Sequence, residues 1–185
     1  MKTKFLKDEF LYDGSQMKPL DNYLKYDLLG DSCLSWIGPC EISFDKMLDG
    51  EDLIEKCEIR GSKMLHFIFE IFQRELVSAV FLQRLFASLV QAYVFENSKI
   101  YLKRDGDDLY LEDKKFSISI AAPSINSNMV HFAVNVSNLG TPVKTVSCED
   151  LNIKPEVMAE VLLKKISHEY QSIINASFKV RAIHN

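Results

Sequence analysis

The sequence predicts an α+β domain in which a mixed, largely antiparallel sheet packs on helices. Two long helical segments, one in the middle of the chain and one near its end, are separated by short segments in which apolar and polar residues alternate. The chain has 185 residues, of which 47% are hydrophobic and 26% charged. This length and composition predict one globular domain over residues 1–185 with a sizeable core.

The first part of the chain predicts two strands and a helix. Phe5 to Tyr12 is typical of a strand that ends at a turn, Asp13–Gly14. Pro19 to Leu29 has apolar residues at helical spacing, with proline suited to the first turn. Cys33 to Ile37 predicts a short strand that Gly38 and Pro39 end.

The middle of the chain predicts an acidic excursion followed by a strand and the first long helix. Asp45 to Gly61 is rich in Asp and Glu and surrounds a short helix. In Met64 to Phe72, alternate residues are apolar, which favours a strand over a helix. Glu75 to Phe95 is apolar nearly all round, as expected of a helix packed inside a fold.

The remaining segments predict a hairpin, a further strand and the closing helix. The elements expected here are a strand over Lys99 to Arg104, a hairpin of Leu109 to Leu111 with Lys115 to Ala121, a strand over Val130 to Ser137, an amphipathic helix over Pro155 to Ile174 and an edge strand over Phe178 to Ile183.

The polar faces of three predicted strands carry the candidate site. They hold His66 and Glu70 on the first strand, Lys115, Ser117 and Ser119 on the second, and His131 and Asn135 on the third. If the apolar faces pack on the helices, these polar groups stand on one side of the sheet. Two interpretations remain open: a polar ligand pocket, or a face that is simply exposed to water.

Charge and cysteine spacing narrow the class of protein. The formal net charge of -4 argues against a nucleic-acid-binding surface. No segment has the long uncharged apolar run of a membrane-spanning helix, and the N-terminal residues lack the apolar core of a signal peptide. We therefore expect a cytoplasmic protein without a membrane partner. The four cysteines show no CxxC spacing, which argues against zinc and against a disulfide framework, and we expect no metal site.

The segment from Gly106 to Ser119 resembles the central motif of the biotin protein ligases. In that family an Asp-Leu-Tyr-Leu strand is followed, after a short hairpin, by a lysine that contacts the acyl group and the adenylate phosphate. The resemblance puts Asp108 on the family's aspartate, Lys115 on its catalytic lysine, and Asn135 on the asparagine of a later strand.

Nearly the whole chain follows the outline of one ligase catalytic domain. More narrowly, the sequence is similar to an uncharacterised prokaryotic family with the biotin/lipoate protein ligase fold, which is a class II aminoacyl-tRNA synthetase-like fold. The segments that carry this similarity are Met64 to Glu70, Gln83 to Leu85 and Arg104 to Leu109. The resemblance therefore implies a ligase-like α+β domain.

One segment departs from the ligase pattern. Biotin ligases use a loop rich in glycine and arginine to hold the ligand phosphate, whereas this chain has Gly38 to Asp45 and then the acidic excursion. Carboxylates near a phosphate would repel it. ATP is therefore a weakly supported ligand, with Arg104 or Arg60 as the residues that could replace the missing charge.

The sequence leaves several functions open. The first is a ligase-like or acyltransferase-like protein that binds a small carboxylic acid, with Lys115 stabilising negative charge on acyl or phosphate oxygens. Asp108, Asn135, His66, Glu70, Ser117, His131 and Arg104 would then surround the ligand. The alternatives are a non-catalytic ligand-binding relative, a structural or homodimeric protein, and an acyl transferase acting through Cys148, as in the octanoyltransferases of the same fold.

Overall fold

The computed structural model describes residues 1–56, 58–72 and 75–183 and contains two sheets and four α-helices. The strands are β1 (Lys2–Phe5), β2 (Ser32–Ile42), β3 (Ile59–Ile71), β4 (Lys103–Asp105), β5 (Asp108–Leu111), β6 (Lys114–Lys115), β7 (Ser117–Pro123) and β8 (Asn128–Asn135). The helices are α1 (Asp21–Tyr26), α2 (Gly50–Glu55), α3 (Leu76–Ser98) and α4 (Pro155–Phe178).

The main sheet has five strands in the order β1-β2-β3-β8-β7. Only β1 and β2 are parallel, and the other neighbours are antiparallel. A second sheet of three short strands, in the order β4-β5-β6, lies beside it. The predicted α+β class with a mixed, largely antiparallel sheet is confirmed.

The principal core lies between one face of the main sheet and the helices α3 and α4. It contains the alternate residues Leu65, Phe67 and Phe69 of β3, together with Val130 and Phe132 of β8. Helix α3 is long and apolar enough to cross a membrane by length and composition alone. Its inward face is buried in this core, as expected of an apolar helix packed on a sheet.

The opposite face of the sheet is covered by the segment between β1 and β2. Tyr12 is buried there beside Trp36, Met64 and Ile68 in a second, smaller core. The chain passes so close to β2 that a Cβ atom on Gly38 would lie 2.0 Å from the carbonyl oxygen of Phe10. Glycine at this position therefore permits the segment to lie directly on the sheet.

The predicted orientation of β7 is wrong. We expected Ser117 and Ser119 to share a face with His131, but they lie opposite Val134 and Phe132 and therefore face the helices. Phe116 is also buried in the helix-side core. Two consecutive residues thus point the same way where β6 gives way to β7, and this irregularity reverses the alternation that follows.

Several predicted boundaries also differ. Gly38 and Pro39 do not end β2, because the strand continues to Ile42 across an irregularity in its register with β3. The predicted helix over Pro19 to Leu29 is reduced to α1. The predicted edge strand over Phe178 to Ile183 is wrong. Helix α4 runs to Phe178, and the described residues after it, 179–183, form no strand.

Candidate functional site

A cavity of about 340 Å³ lies on the face of the main sheet opposite α3 and α4. Its floor includes Met64 of β3, Ile118 and Ile120 of β7, and His131 and Asn135 of β8. Its walls come from residues 42–52 and 58–60, from the second sheet and from residues 141–145. Of the predicted site residues, Asp108, Lys115, His131 and Asn135 line this cavity.

Lys115 and Asp108 form an ion pair at the cavity wall. The Lys115 ammonium lies 2.8 Å from a carboxylate oxygen of Asp108, and both side chains are between a quarter and a third exposed. Burial alone would lower the pKa of Lys115, but the hydrogen bond and the charge of Asp108 outweigh it and raise the pKa above its usual value. The lysine is therefore a fixed positive charge at neutral pH.

Asn135 fixes the backbone that carries Lys115. Its side-chain Nδ2 donates a hydrogen bond to the Lys115 carbonyl oxygen at 3.1 Å, and its own backbone N–H donates to Phe116. Lys115 also pairs through its backbone with Thr145 in the loop that forms the next wall. The strand β8 thus positions the predicted lysine through hydrogen bonds that do not involve its ammonium.

The two predicted histidines form a buried pair. Nδ1 of His66 lies 3.1 Å from Nε2 of His131, and Nε2 of His66 lies 3.2 Å from the carbonyl oxygen of Gly38. His131 stacks on Tyr12 at 3.7 Å between ring centroids, and His66 stacks on Trp36. His131 and Tyr12 line the cavity, whereas His66 lies behind them.

Burial controls the protonation of both histidines. Desolvation lowers the pKa of His66 to about 4, against the opposing effect of the carbonyl oxygens of Gly38 and Pro39. Desolvation, assisted by the neighbouring His66, also lowers the pKa of His131 well below its usual value. Both rings are therefore neutral at pH 7.

The cavity wall is acidic. Its charged side chains are the carboxylates of Asp49, Glu51, Asp52, Glu58, Asp107 and Asp108 and the cations of Lys46, Arg60 and Lys115. Burial raises the pKa of Asp52, and the charge of Asp49 adds to that effect. Burial likewise raises the pKa of Asp107, although the Arg84 cation opposes it. Because the wall has six carboxylates and three cations, it carries a surplus of negative charge at neutral pH.

Besides His66, three predicted site residues lie outside the cavity. Glu70 is buried near the other end of β3, where its carboxylate accepts hydrogen bonds from the Leu20 N–H at 2.8 Å and the Ser127 hydroxyl at 2.9 Å. Ser117 accepts from the Leu109 N–H on the helix side of the sheet. Arg104 is exposed and donates to the Gly106 carbonyl. The structure does not bring these three side chains to the Lys115–Asp108 pair.

Cys148 is placed in the helix-side core and does not line the cavity. Its side chain has no exposed surface, and burial together with the Glu149 charge raises the pKa of the thiol to about 12. A nucleophilic cysteine needs access and a lowered pKa. The geometry therefore does not support acyl transfer through Cys148.

The sequence reasoning missed Tyr12, Asp52, Asp107 and Gln83. Gln83 of α3 donates to Asp107 at 2.8 Å and to Ser119 at 2.9 Å, which ties the cavity rim to the helix layer. Asp107 directly precedes Asp108, so the doubled aspartate was a usable signal. Asp52 was noted only as part of the acidic excursion, and Tyr12 gave no signal, because its segment meets the sheet only through tertiary packing. No group of three or more metal-binding side chains occurs among the described residues.

The fold of this protein is similar to that of solved biotin and lipoate ligases. A biotin protein ligase from Aquifex aeolicus, solved with biotin and ATP, is similar with a TM-score of 0.60 at 15% identity, over 90% of this chain and 69% of that one. A T. acidophilum protein solved with bound lipoic acid is similar with a TM-score of 0.55 at 10% identity, over 91% and 87% of the two chains. At these identities the likeness is one of fold.

The family itself is shown by matches along the whole chain. Residues 1–181 match the family model "Domain of unknown function (DUF366)", and the chain belongs to this family. A protein of unknown function from Pyrococcus horikoshi is similar with a TM-score of 0.92 at 32% identity, over 99% of this chain and 100% of that one. An uncharacterised Methanocaldococcus jannaschii protein is 33% identical over 170 residues, which are 88% of this chain and 77% of the relative.

Proposed function

We propose that this protein binds a small carboxylic acid in the cavity, with the Lys115 ammonium against the carboxylate or the acyl group derived from it. The observation that carries the proposal is the convergence of Lys115, Asp108 and Asn135 on one cavity of about 340 Å³. Cavities from about 300 Å³ upward are typical of small-molecule sites.

The charge state of Lys115 supports this role. Its ammonium is fixed by Asp108 at 2.8 Å and is partly exposed, so an incoming carboxylate can share it without displacing the backbone. A positive charge held in place before the ligand arrives is the arrangement that best stabilises negative charge on acyl oxygens. The fold adds support, because solved structures of similar fold hold biotin or lipoic acid.

A nucleotide does not fit the residues that are present. Triphosphate binding requires backbone N–H groups and cationic side chains directed at the phosphates. The corresponding wall of this cavity holds Asp49, Asp52 and Glu58. Its cations are already within ion-pair distance of carboxylates: Lys46 with Asp13, Arg60 with Glu58, and Lys115 with Asp108. The residues of this wall therefore do not support an adenylation step in this chain.

The poor fit between the acidic wall and a nucleotide favours one second candidate function. A relative that retains the ligase scaffold and its acid site but does not activate the acid would be a carrier or a sensor of that acid. The acidic wall is the specific observation in its favour, because it discourages phosphate at the position where activation would occur. Binding of an acid is common to both candidates, whereas turnover separates them.

The test is thermal unfolding of the protein with biotin, lipoate and octanoate, each with and without magnesium and ATP. A ligand at a hundred times its dissociation constant stabilises the folded state by about 2.7 kcal/mol. For a chain of this size the corresponding rise in Tm is about 5–10 °C. We expect such a rise with at least one acid, and we expect ATP to add nothing to it.

Lys115→Met should abolish the rise, and the neighbouring exposed Lys114→Met should retain it. Lys114 is a matched control because it lies on the same short strand and outside the cavity. An equal rise in Tm for Lys115→Met and for the wild type would remove Lys115 from the site. Pyrophosphate exchange that depends on the acid would instead show that the protein activates it.

A further inference from the structure

The chain beyond Tyr170 leaves the body of the protein. Tyr170 fixes α4 to the end of the sheet, because its hydroxyl donates a hydrogen bond to Asp31 at 2.8 Å. After it, every described residue up to Ile183 is exposed except the half-buried Ile174. Helix α4 continues to Phe178, which carries the chain about 12 Å past Tyr170. The end of α4 and the residues that follow it therefore project into solvent.

The segment from Phe178 to Ile183, which we call the basic arm, carries apolar and cationic side chains in alternation. This is the alternation that wrongly predicted an edge strand. Phe178, Val180 and Ile183 are 78%, 73% and 94% exposed. The lysine and the arginine of the arm form no ion pair with any described residue. Large apolar side chains grouped at such exposure are typical of an interaction surface.

A second exposed apolar surface lies at the mouth of the cavity, on the segment from Phe44 to Glu58, which we call the acidic rim. Its large apolar side chains are between 44% and 83% exposed, and they are Phe44, Leu48, Leu53 and Ile54. Its charged side chains are the carboxylates of Asp45, Asp49, Glu51, Asp52, Glu55 and Glu58 and the cations of Lys46 and Lys56. With six carboxylates against two cations, the rim has a formal charge of -4. The rim is therefore apolar and anionic, whereas the arm is apolar and cationic.

The arm cannot reach the rim of its own chain. The rim connects β2 to β3 and borders the cavity on the face of the sheet opposite α4. Asp31, which holds Tyr170, lies at the other end of the sheet, since the next residue, Ser32, pairs with Glu70 near the end of β3. Strand β3 has 13 residues, so its two ends are about 40 Å apart. The five described residues after α4 span at most about 18 Å.

We propose that the basic arm of one copy docks on the acidic rim of a second copy, so that the protein self-associates head to tail. The two surfaces have opposite charge, and each brings exposed apolar side chains that the contact would remove from water. Because two different surfaces meet, the contact repeats from copy to copy, in a ring where the rotation closes and in a chain where it does not. This inference does not depend on the proposed acid site at Lys115.

The first test measures the mass of the full chain in solution by sedimentation equilibrium, from low micromolar to several hundred micromolar protein. At low salt the average mass should rise with protein concentration. In about 1 M NaCl the Debye length falls to about 3 Å, so the association should weaken by about tenfold or more. A monomer at every concentration at low salt would overturn the proposal.

The second test reverses the charge of the arm. The double variant Lys179→Glu with Arg181→Glu should remain monomeric, because its arm and its rim then have the same sign of charge. The double variant Lys154→Glu with Lys164→Glu is the matched control. It changes the net charge equally at two exposed positions outside the arm, and it should associate more strongly than the arm variant. Equal association of the arm variant and the wild type would exclude the arm from the contact.

The apolar side chains of the arm are tested separately. Phe178→Ser should weaken the association, because the contact then removes less apolar surface from water. Leu24→Ser is the control, since Leu24 is 73% exposed on α1, outside the arm and the rim. An equal effect of the two substitutions would show that the apolar part of the arm does not enter the contact.

An exchange of charges locates the docking site on the second copy. The rim variant, which replaces the exposed residues Asp45, Glu51 and Glu55 with lysine, changes the formal charge of the rim from -4 to +2. This variant should be monomeric on its own, as should the variant with the reversed arm. An equimolar mixture of the two should associate, because each arm then meets a rim of opposite charge.

Failure of the mixture to associate, with both variants folded by circular dichroism, would exclude the rim as the docking site. If the rim variant does not fold, carbodiimide cross-linking of the wild type decides. It should join Lys179 to a carboxylate of the rim, and mixing labelled with unlabelled protein should show that the cross-link connects two copies. Cross-links from Lys179 only to carboxylates outside residues 44–58 would overturn the proposal.

Discussion

Gly38→Ala tests the part of the fold that holds the cavity floor in place. An added Cβ would lie 2.0 Å from the Phe10 carbonyl oxygen. Ordinary contacts between carbon and oxygen begin at about 3.3 Å, so the segment must move away by about 1.3 Å. The Phe10 oxygen also accepts a hydrogen bond from Nε1 of the buried Trp36 at 3.0 Å, which such a shift would break.

The magnitude follows from these two effects. Overpacking a close contact costs about 1–3 kcal/mol, and leaving a buried N–H without its partner costs about 1–3 kcal/mol. We therefore expect Gly38→Ala to lower the free energy of unfolding by about 2–6 kcal/mol, a large part of a typical total of about 5–15 kcal/mol. Urea unfolding measures this difference directly.

Fluorescence gives an independent reading, because the chain has a single tryptophan. Trp36 stacks on Phe10 at 4.5 Å between centroids, so its emission should change when that segment shifts. Gly50→Ala is the control, since a Cβ there meets nothing within 4 Å and alanine favours the helix that begins at this residue. A Gly38→Ala protein within about 0.5 kcal/mol of the wild type, with unchanged emission, would refute the close approach.

Three further predictions follow from buried polar groups. His66 has a pKa of about 4 in the folded protein and about 6.5 in the unfolded chain, so between these values the unfolded chain binds a proton that the folded protein does not. As the pH is lowered from 6.5 to 4, the free energy of unfolding should therefore decrease by about 1.4 kcal/mol per pH unit from this residue. In urea unfolding, His66→Phe should show a smaller decrease over the same range. The Cys148 thiol, with a pKa raised to about 12, should remain unalkylated by iodoacetamide at pH 8 in the native protein and react after unfolding, as mass spectrometry would show; rapid native labelling would contradict its burial. Glu70→Ala should cost about 2–4 kcal/mol, because the Leu20 N–H and the Ser127 hydroxyl lose their acceptor, and it should leave acid affinity unchanged; a loss of affinity at unchanged stability would return Glu70 to the site.

Periodicity was sufficient to predict the strands that have two unlike faces. In β3 and β8 the apolar residues repeat every second position, so both the strand assignment and the face toward α3 and α4 could be predicted for Phe67 and Phe132. The same rule failed for β7, where Phe116 and Ser117 point to the same side. A one-residue irregularity in a strand leaves no mark in the pattern of residue types, and it reverses every side chain that follows.

The candidate site could be predicted only where a local motif carried it. Asp108 and Lys115 are close in sequence and lie on one small sheet, so their pairing follows from the hairpin itself. The contributions of Tyr12 and Asp52 depend on how the segment before β2 and the segment that contains α2 fold over the sheet, and alternation does not encode that. Glu70 illustrates the converse error: a buried carboxylate demands partners, and here backbone and hydroxyl donors satisfy it without a ligand.

The acidic wall of the cavity is the main physical argument in the proposed function for an acid ligand without a nucleotide. Two unit charges 4 Å apart interact by about 4 kcal/mol at an effective dielectric constant of 20, so each carboxylate that faces the cavity weighs heavily against a phosphate. Lys115 offsets one of these charges and is itself held by Asp108. The monoanion of a small acid can be accommodated at that lysine, whereas a triphosphate would face Asp49, Asp52 and Glu58 together. The proposed acid site therefore predicts that this chain binds a small acid without the ATP that is present in the Aquifex aeolicus structure of similar fold.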